Sequence, residues 1–170
     1  WIMQHVSQPF DSNGDWASGG KVHKDLLESL LSEKYFLKKG PKSTGKELFN
    51  MEWLDTKLQK LGENIPKQNV QSTLSELTAQ SICMAISDFN AHEIYLCGGG
   101  AHNTDLLDRL RKHCAPTKVE SIEKLGFVAD HIEAAAFAWL SYRTLHGLTC
   151  NSPISTGASG DRILGGIYQA

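Results

Sequence analysis

The sequence lacks an excess of charge of either sign and any long hydrophobic run. Its 17 Lys and Arg nearly balance its 19 Asp and Glu, which leaves a net charge of -2. A protein that binds nucleic acid mainly through phosphates needs a basic face, which this balance does not provide. The apolar runs fall far short of the roughly 20 residues of a membrane span. We therefore expect no nucleic-acid partner, no membrane association and no signal peptide.

Cysteine and metal-ligand patterns are also sparse. The four cysteines, Cys83, Cys97, Cys114 and Cys150, include no CxxC pair, and the seven histidines show no ligand spacing such as HExxH. A secreted disulfide framework or a structural zinc site needs such patterns. We therefore expect a cytosolic protein without a metal site, in which Cys83 and Cys97 are free cysteines that pack as small hydrophobic residues.

The length and the periodicity predict a single helix-rich α/β domain over 1–170. A chain of this size buries about 70% of its unfolded surface, and because it starts at Trp1 without an initiator Met we expect a fragment of a longer protein. Apolar spacing predicts helices at 22–31, 44–61, 73–89, 103–113 and 130–147. Short apolar or alternating runs predict strands at 93–97, 117–122 and 163–168. Because strands alternate with helices in the second half, we expect a partly parallel sheet covered by helices.

Three consecutive glycines, Gly98, Gly99 and Gly100, follow the predicted strand 93–97 and precede a helix that Asn103 caps. Backbone without side chains lets a flat or anionic ligand approach main-chain N–H groups at a helix N-terminus. In open α/β sheets, ligands bind at the carboxyl ends of strands, where this loop lies. A tight strand-to-helix turn would need the same glycines for its geometry alone. The residues therefore leave a ligand-binding loop and a structural turn both open.

Two further segments combine a candidate function with a simpler structural explanation. The segment 40–47 (GPKSTGKE) matches the phosphate-binding P-loop GxxxxGK[ST] except at Glu47, where a hydroxyl should reach Mg²⁺, and no buried strand precedes it. A capping box of Thr44 with Glu47 explains the same residues. Asp130 and Glu133 have the same three-residue separation, so a capping box explains Glu133 as well. As a carboxylate in the first turn of a buried helix, Glu133 is also a candidate to face a polar ligand.

Several segments in series resemble the anhydro-N-acetylmuramic acid kinases. They are PKSTGKELF, TLSELTA, LCGGGAHN, DHIEAAAFAWLSYR, NSPISTGA and ILGGIY, in this order and at compatible spacings along essentially all 170 residues. Members of that family belong to the sugar kinase and actin-like ATPase superfamily, with two ribonuclease-H-like lobes and ATP in the cleft between them. The resemblance implies that this chain is the C-terminal, adenosine-binding lobe, without its N-terminal lobe.

The resemblance also implies a function in peptidoglycan recycling in the bacterial cytoplasm. Such a kinase uses ATP and Mg²⁺ to phosphorylate 1,6-anhydro-N-acetylmuramic acid at O6 while water opens the anhydro ring, which gives N-acetylmuramic acid 6-phosphate. The three glycines and Asn103 match the adenosine-binding motif of the superfamily, and Glu133 matches a carboxylate expected to touch the sugar. The catalytic Asp is expected upstream of Trp1, so the chain alone should be inactive. The expected partners are ATP and the amino sugar, and a homodimer stays open.

Two other functions remain as alternatives. A non-catalytic nucleotide-binding or scaffold domain can keep the same fold, and an N-terminal lobe in the intact protein would argue against it. A P-loop NTPase would use the segment 40–47. A Glu47→Ser change should improve a true P-loop and only weaken a capping box.

Overall fold

The structure, a computed structural model, describes residues 1–168. Within those residues it contains nine α-helices and two β-strands. The helices are α1 (Ile2–Val6), α2 (Asp15–Ser18), α3 (Lys24–Leu31), α4 (Lys34–Leu37), α5 (Met51–Leu61), α6 (Lys67–Ile86), α7 (Thr104–His113), α8 (Ile132–Leu145) and α9 (Pro153–Thr156). The strands are β1 (Glu93–Leu96) and β2 (Lys118–Ser121). Short 3₁₀ helices lie at Ser12–Gly14, Ser87–Phe89, Gly99–His102, Ile122–Leu125 and Ala129–His131.

The predicted strand–helix–strand unit in the second half is confirmed. β1 and β2 pair in parallel, with Glu93 beside Lys118 and Leu96 beside Ser121. Parallel strands need a crossover connection, and α7 provides it while packing against both β2 and α6. The fold is therefore helix-rich α/β as expected, and the carboxyl end of β1 leads directly into the three glycines.

Two hydrophobic clusters share the long helix α6. The first packs α6 against α3 and α5, with Leu26, Leu30, Leu54, Ile65, Val70 and Leu77 buried. The second lies between α6, α7 and the strands, with Ala79, Leu107, Leu110, Cys114 and Val119 buried. Each fully buried Leu contributes about 1.5–3 kcal/mol. The second cluster therefore holds both β1 and α7, and with them the loop between them, on α6.

The predicted start of the second helix at Thr44 is wrong. Asn50 caps α5 instead, and its Oδ1 accepts a hydrogen bond from the N–H of Trp53 at 2.9 Å. Glu47 does not reach back to Thr44, because its carboxylate accepts from the N–H of Gly45 at 2.7 Å. Two caps compete within seven residues, and the one that adjoins the apolar face of α5 begins the helix.

The predicted helix 73–89 starts earlier than the capping-box spacing of Thr73 with Glu76 indicates. α6 begins directly after Pro66, so Thr73 and Glu76 lie in its interior and are buried. The Thr73 hydroxyl bonds to the carbonyl of Asn69 one turn back, at 2.7 Å. The far end of the predicted helix also differs, because Phe89, expected on its buried face, is 76% exposed. Glu76 does not cap a helix; its carboxylate pairs with Arg109 on α7 instead.

The last part of the chain is more open than predicted. The helix is confirmed as α8, but it has no buried residue, and Phe137, Trp139 and Tyr142 are more than half exposed. Residues 163–168 form no strand. They lie beside α8 instead, where the Thr144 hydroxyl bonds to the carbonyl of Leu164. The expectation of a buried helix is wrong, because the described residues that lie beside α8 bury none of its side chains.

The prediction that Cys83 is free is wrong, and so is the prediction that Cys97 is packed. Cys83 and Cys114 form a disulfide with their Cα atoms 5.5 Å apart, whereas Cys97 and Cys150 are free. Cys97 is exposed rather than packed. The packing of α6 on α7 brings together two cysteines that lie 31 residues apart, which no local pattern reveals. Among residues 1–168, no helix has the length and apolarity to cross a membrane.

Candidate functional site

The three glycines form an open loop at the carboxyl end of β1. Gly98 has φ 69° and ψ -171°, a conformation that essentially only glycine adopts. Its N–H donates to the carbonyl of Ala129 at 2.9 Å. Gly99 begins the 3₁₀ helix Gly99–His102, which turns the chain toward α7. The geometry of the tight turn is therefore enough to explain a glycine at position 98.

Gly99 and Gly100 have no comparable structural requirement. A Cβ atom added to Gly99 would meet no atom within 4 Å, and one added to Gly100 would meet only a side-chain carbon of Leu106 at 3.9 Å. Both glycines are exposed. No described residue accepts a hydrogen bond from either N–H. The loop therefore leaves two backbone donors without a partner in the described part of the chain, at exposed positions where side chains would block the approach of a ligand.

Asn103 closes the loop as the cap of α7. Its Oδ1 accepts from the N–H of Leu106 at 2.9 Å, as predicted. The α1–α2 region touches it from the other side, since a Cβ on Gly14 would lie 2.4 Å from the same oxygen. Within residues 1–168, no group accepts from the Asn103 side-chain amide. A cavity of about 280 Å³ adjoins Asn103 and also contacts Trp1 and Leu74.

Glu133 lies in the first turn of α8 and is exposed. It has no hydrogen-bond partner among the described residues, and the predicted capping box with Asp130 is not formed. Asp130 instead contacts the imidazole of His102, with Oδ1 and Nε2 3.0 Å apart. This contact and the Gly98–Ala129 bond join the start of α8 to the glycine loop. The structure thus places Glu133 on an element tethered to the loop.

An ion-pair network that the sequence did not reveal joins α6 to the first turns of α7. The Arg109 guanidinium donates to Asp105 Oδ2 at 2.8 Å, to Glu76 Oε2 at 2.8 Å and to Ser72 Oγ at 2.9 Å. Ser75 donates to the same Asp105 oxygen at 2.7 Å. The one sequence signal is the four-residue spacing of Asp105 and Arg109 on a helix face. The network positions the helix whose N-terminus adjoins the glycines.

Burial and hydrogen bonding act in opposite directions in this network. Burial raises the pKa of Glu76, but hydrogen bonds from Gln80, Arg109 and His113 outweigh it and hold that pKa below its ordinary value. Burial lowers the pKa of Arg109, while its bonds to Asp105 and Glu76 raise it above its ordinary value. Both groups are therefore charged at neutral pH, as a closed ion pair requires.

The segment 40–47 does not have the surroundings of a P-loop. The helix α4, not a strand, precedes it, and no helix begins at its end. The Lys42 ammonium donates to the carbonyls of Tyr35 and Phe36 at 3.1 and 3.3 Å. A cavity of about 810 Å³ lies beside it, with aromatic walls that include Phe49 and Trp53, away from the three glycines. The geometry gives no support to phosphate binding here.

No group of three or more His, Cys, Asp or Glu side chains within residues 1–168 is arranged to hold a metal ion. The carboxylates near the loop are engaged elsewhere. Asp105 contacts Arg109, and Asp130 contacts His102. A ligand at this site could therefore use the backbone donors of Gly99 and Gly100 after β1, and the carboxylate of Glu133 on α8, which is unpaired within the described part of the chain.

Comparison with known proteins shows one consistent similarity. A family model described as "Anhydro-N-acetylmuramic acid kinase" matches residues 1–170. A protein of that name from Pseudomonas savastanoi pv. phaseolicola is 45% identical over 172 residues, which cover 100% of this chain and 47% of the relative. Proteins of the same name from Thiobacillus denitrificans and Photobacterium profundum are each 44% identical, over 100% of this chain and 46% and 47% of their own lengths. The chain spans about half the length of the curated relatives it matches.

Proposed function

The chain belongs to the anhydro-N-acetylmuramic acid kinase family over its whole length, and we propose that it is the nucleotide-binding, C-terminal lobe of such a kinase. The lobe would bind the adenosine part of ATP at the glycine loop. A second lobe, in the part of the relatives that this chain does not span, would bring the catalytic Asp and most of the phosphate site. The reaction would take place in the bacterial cytoplasm during peptidoglycan recycling.

The observation that carries this proposal is the open backbone at Gly99 and Gly100. Their N–H groups have no acceptor within residues 1–168, and a Cβ at Gly99 would fill empty space rather than strike the fold. A ligand with a flat face and hydrogen-bond acceptors fits such a surface, because nothing but main chain stands in its way. Asn103 adds a side-chain amide at the edge of the same loop. Adenosine has both properties.

The chemistry of the bound substrates sets what this lobe contributes. ATP supplies the phosphoryl group for O6 of 1,6-anhydro-N-acetylmuramic acid, and water opens the anhydro ring to give N-acetylmuramic acid 6-phosphate. Phosphoryl transfer depends on positioning and on charge stabilisation around the γ-phosphate. The part of this lobe would be to bind and orient the nucleotide.

Glu133 would contribute to sugar binding. Its carboxylate is exposed and has no described partner, so it is free to accept hydrogen bonds from sugar hydroxyls. The tether between His102 and Asp130 would keep the start of α8 in a constant position relative to the nucleotide loop. A sugar bound at Glu133 and a nucleotide bound at the glycines would then meet with little further rearrangement.

The exposed aromatic side chains of α8 support a larger assembly. Trp139 and Tyr142 lie three residues apart on one side of the helix and Phe137 lies toward the other side, and all three are more than half exposed on a helix without a buried residue. Soluble proteins rarely leave clusters of apolar side chains open, and such clusters usually mark contact surfaces. The second lobe, or a second copy in a homodimer, would cover these side chains.

Nucleotide binding to the chain itself tests the proposal. In ¹H–¹⁵N spectra, ATP titration should shift the amide signals of Gly98 to Gly100, with weak affinity because one lobe is missing. Gly99→Val should lower that affinity about tenfold or more, since a β-branched side chain would occupy the open space. Circular dichroism should stay unchanged, because a Cβ at Gly99 meets nothing in the fold.

A matched control is Ser87→Val. It places the same side chain at the first residue of another 3₁₀ helix, Ser87–Phe89, and should leave ATP affinity unchanged. Shifts confined to 40–47 would favour a P-loop. No shift at millimolar ATP, or equal affinity in Gly99→Val, would refute adenosine binding at the loop.

A further inference from the structure

We propose that Cys83 and Cys114 form a reversible thiol–disulfide site that a small thiol or small disulfide reaches through the cavity beside it. Cys83 lies on α6, and Cys114 directly follows α7. Their Cα atoms are 5.5 Å apart, inside the usual disulfide range of roughly 4.4–6.8 Å. The two helices therefore hold the cysteines at bonding distance through their own packing. This site is separate from the nucleotide loop and does not depend on the proposed kinase function.

A cavity gives small molecules access to this pair. It has a volume of about 400 Å³, within the roughly 300–1,000 Å³ of small-molecule pockets. Cys83 and Cys114 line it together with the polar residues Asn90 and Thr117 and the imidazoles of His92 and His113. Both cysteines thus face one cavity, with polar and imidazole groups around them. A tripeptide-sized thiol or its disulfide is of the right class for this space.

The unequal burial of the two cysteines sets the order of the reaction. Cys83 is partly exposed, whereas Cys114 is 8% exposed. An incoming disulfide therefore meets Cys83 first, and Cys114 attacks second. Thiol–disulfide exchange proceeds through such a mixed disulfide, because a thiolate attacks one sulfur and displaces the other.

The exchange balances in atoms and electrons. The Cys83 thiolate attacks one sulfur of a small disulfide RSSR, a new S–S bond forms to Cys83, the S–S bond of RSSR breaks, and one RS⁻ leaves. The Cys114 thiolate then attacks the Cys83 sulfur of the mixed disulfide, and the second RS⁻ leaves. The protons of the two protein thiols end on the two RS⁻ groups, so the protein pair is oxidised and one RSSR is reduced to two RSH. Reduction by two small thiols runs the same steps in reverse.

The crosslink acts on the cluster that supports β1 and α7. Cys114 is one of the buried residues of that cluster, and Leu110 and Val119 pack in it beside the half-buried strand residues Ile94 and Leu96. Closing a loop between residues 31 apart restricts the unfolded chain. For a chain of this size, the thermal midpoint of the oxidised form should lie roughly 10 °C above that of the reduced form.

The test uses the chain with Cys97→Ser and Cys150→Ser, which leaves only the proposed pair. Incubation with oxidised glutathione should remove two hydrogen atoms from the intact mass and leave no alkylatable thiol. Reduced glutathione should restore both thiols and lower the thermal midpoint by the shift above. The cycle should repeat without loss of the circular dichroism spectrum.

Single substitutions in the same background test the order of attack. Cys114→Ser should retain one glutathione on Cys83, whereas Cys83→Ser should take up little, because Cys114 is buried. The proposal is overturned if the pair stays alkylatable after oxidation, if the oxidised and reduced forms unfold at the same temperature, or if Cys83→Ser traps the adduct and Cys114→Ser does not. A pair that oxidises but is not restored by reduced glutathione would refute reversibility.

Discussion

Replacing Arg109 by methionine removes a guanidinium group that joins α7 to α6. The guanidinium bonds Asp105 on its own helix and Glu76 on α6, each at 2.8 Å, and its side chain is only 14% exposed. Methionine keeps much of the volume but none of the donors. Arg109→Met therefore leaves two carboxylates, 11% and 10% exposed, without their shared partner.

The expected loss of unfolding free energy is large for a domain of this size. Removing one member of a buried ion pair costs about 3–5 kcal/mol, because the remaining charge stays desolvated and unpaired. The total free energy of unfolding of such domains is about 5–15 kcal/mol. Arg109→Met should thus remove a substantial share of the free energy of unfolding. Adding Glu76→Gln to it should recover part of the loss, since one stranded charge disappears.

Arg111→Met is the matched control. Arg111 lies on the same helix and contacts Asp108 and Glu120 at 3.1 and 3.4 Å, but its side chain is 45% exposed. An exposed ion pair contributes about 0–1 kcal/mol. The two substitutions change the same residue type to the same replacement, so burial and pairing are what differ between them.

Urea unfolding followed by circular dichroism measures both variants. Equal losses for Arg109→Met and Arg111→Met, or no recovery on adding Glu76→Gln, would refute the reasoning. The pH dependence is a second readout. Hydrogen bonds hold the folded-state pKa of Glu76 below its ordinary value of 4.5, so its contribution is complete above that value and is lost as pH falls through the folded-state pKa. In Arg109→Met one of those bonds is missing, and acid unfolding should begin at a higher pH than in the parent chain.

Three further outcomes follow from the site. Gly98→Ala should cost about 1–3 kcal/mol of unfolding free energy, because its φ and ψ are open essentially only to glycine, whereas Gly99→Ala should cost less than about 0.5 kcal/mol; equal costs in urea would contradict this. Glu133→Gln should leave the thermal midpoint of the chain unchanged but lower turnover roughly 10- to 100-fold in a two-lobed kinase that carries it, because a hydrogen bond to a charged group contributes about 1.5–3 kcal/mol; full turnover would refute its role in sugar binding. The chain alone, with ATP, Mg²⁺ and the anhydro sugar, should form no sugar phosphate. Formation at even a hundredth of the rate of the full-length Pseudomonas savastanoi relative would refute the placement of the catalytic Asp outside this chain.

Local patterns identified the part of the fold that carries the candidate site. The strand before the glycines and the Asn103 cap of α7 both have their causes within a few residues of each other. A side-chain cap and a short apolar strand need no distant partner to be recognised. The glycine loop was located for the same reason.

Competition between local signals explains the wrong helix starts. The spacing of Thr44 with Glu47 satisfies a capping box, but the apolar face that packs on α3 adjoins Asn50, and α5 begins there. Glu76 has the correct spacing for a cap with a residue that lies inside α6. Packing against another helix decides between such candidates, because burial of an apolar face outweighs one cap.

The sequence by itself determined the order of elements in the second half, the glycine loop with its cap, and the family, because each depends on residues that are close in the chain or on motifs in series. Only the tertiary structure decided that Arg109 pairs with Glu76, that Cys83 meets Cys114, that a side chain on Gly99 would meet open space and that α8 has no buried residue. Each of these is a contact, or a missing contact, between elements that are distant in sequence. Such contacts are set by how the helices pack, which the spacing of residues along one helix does not specify.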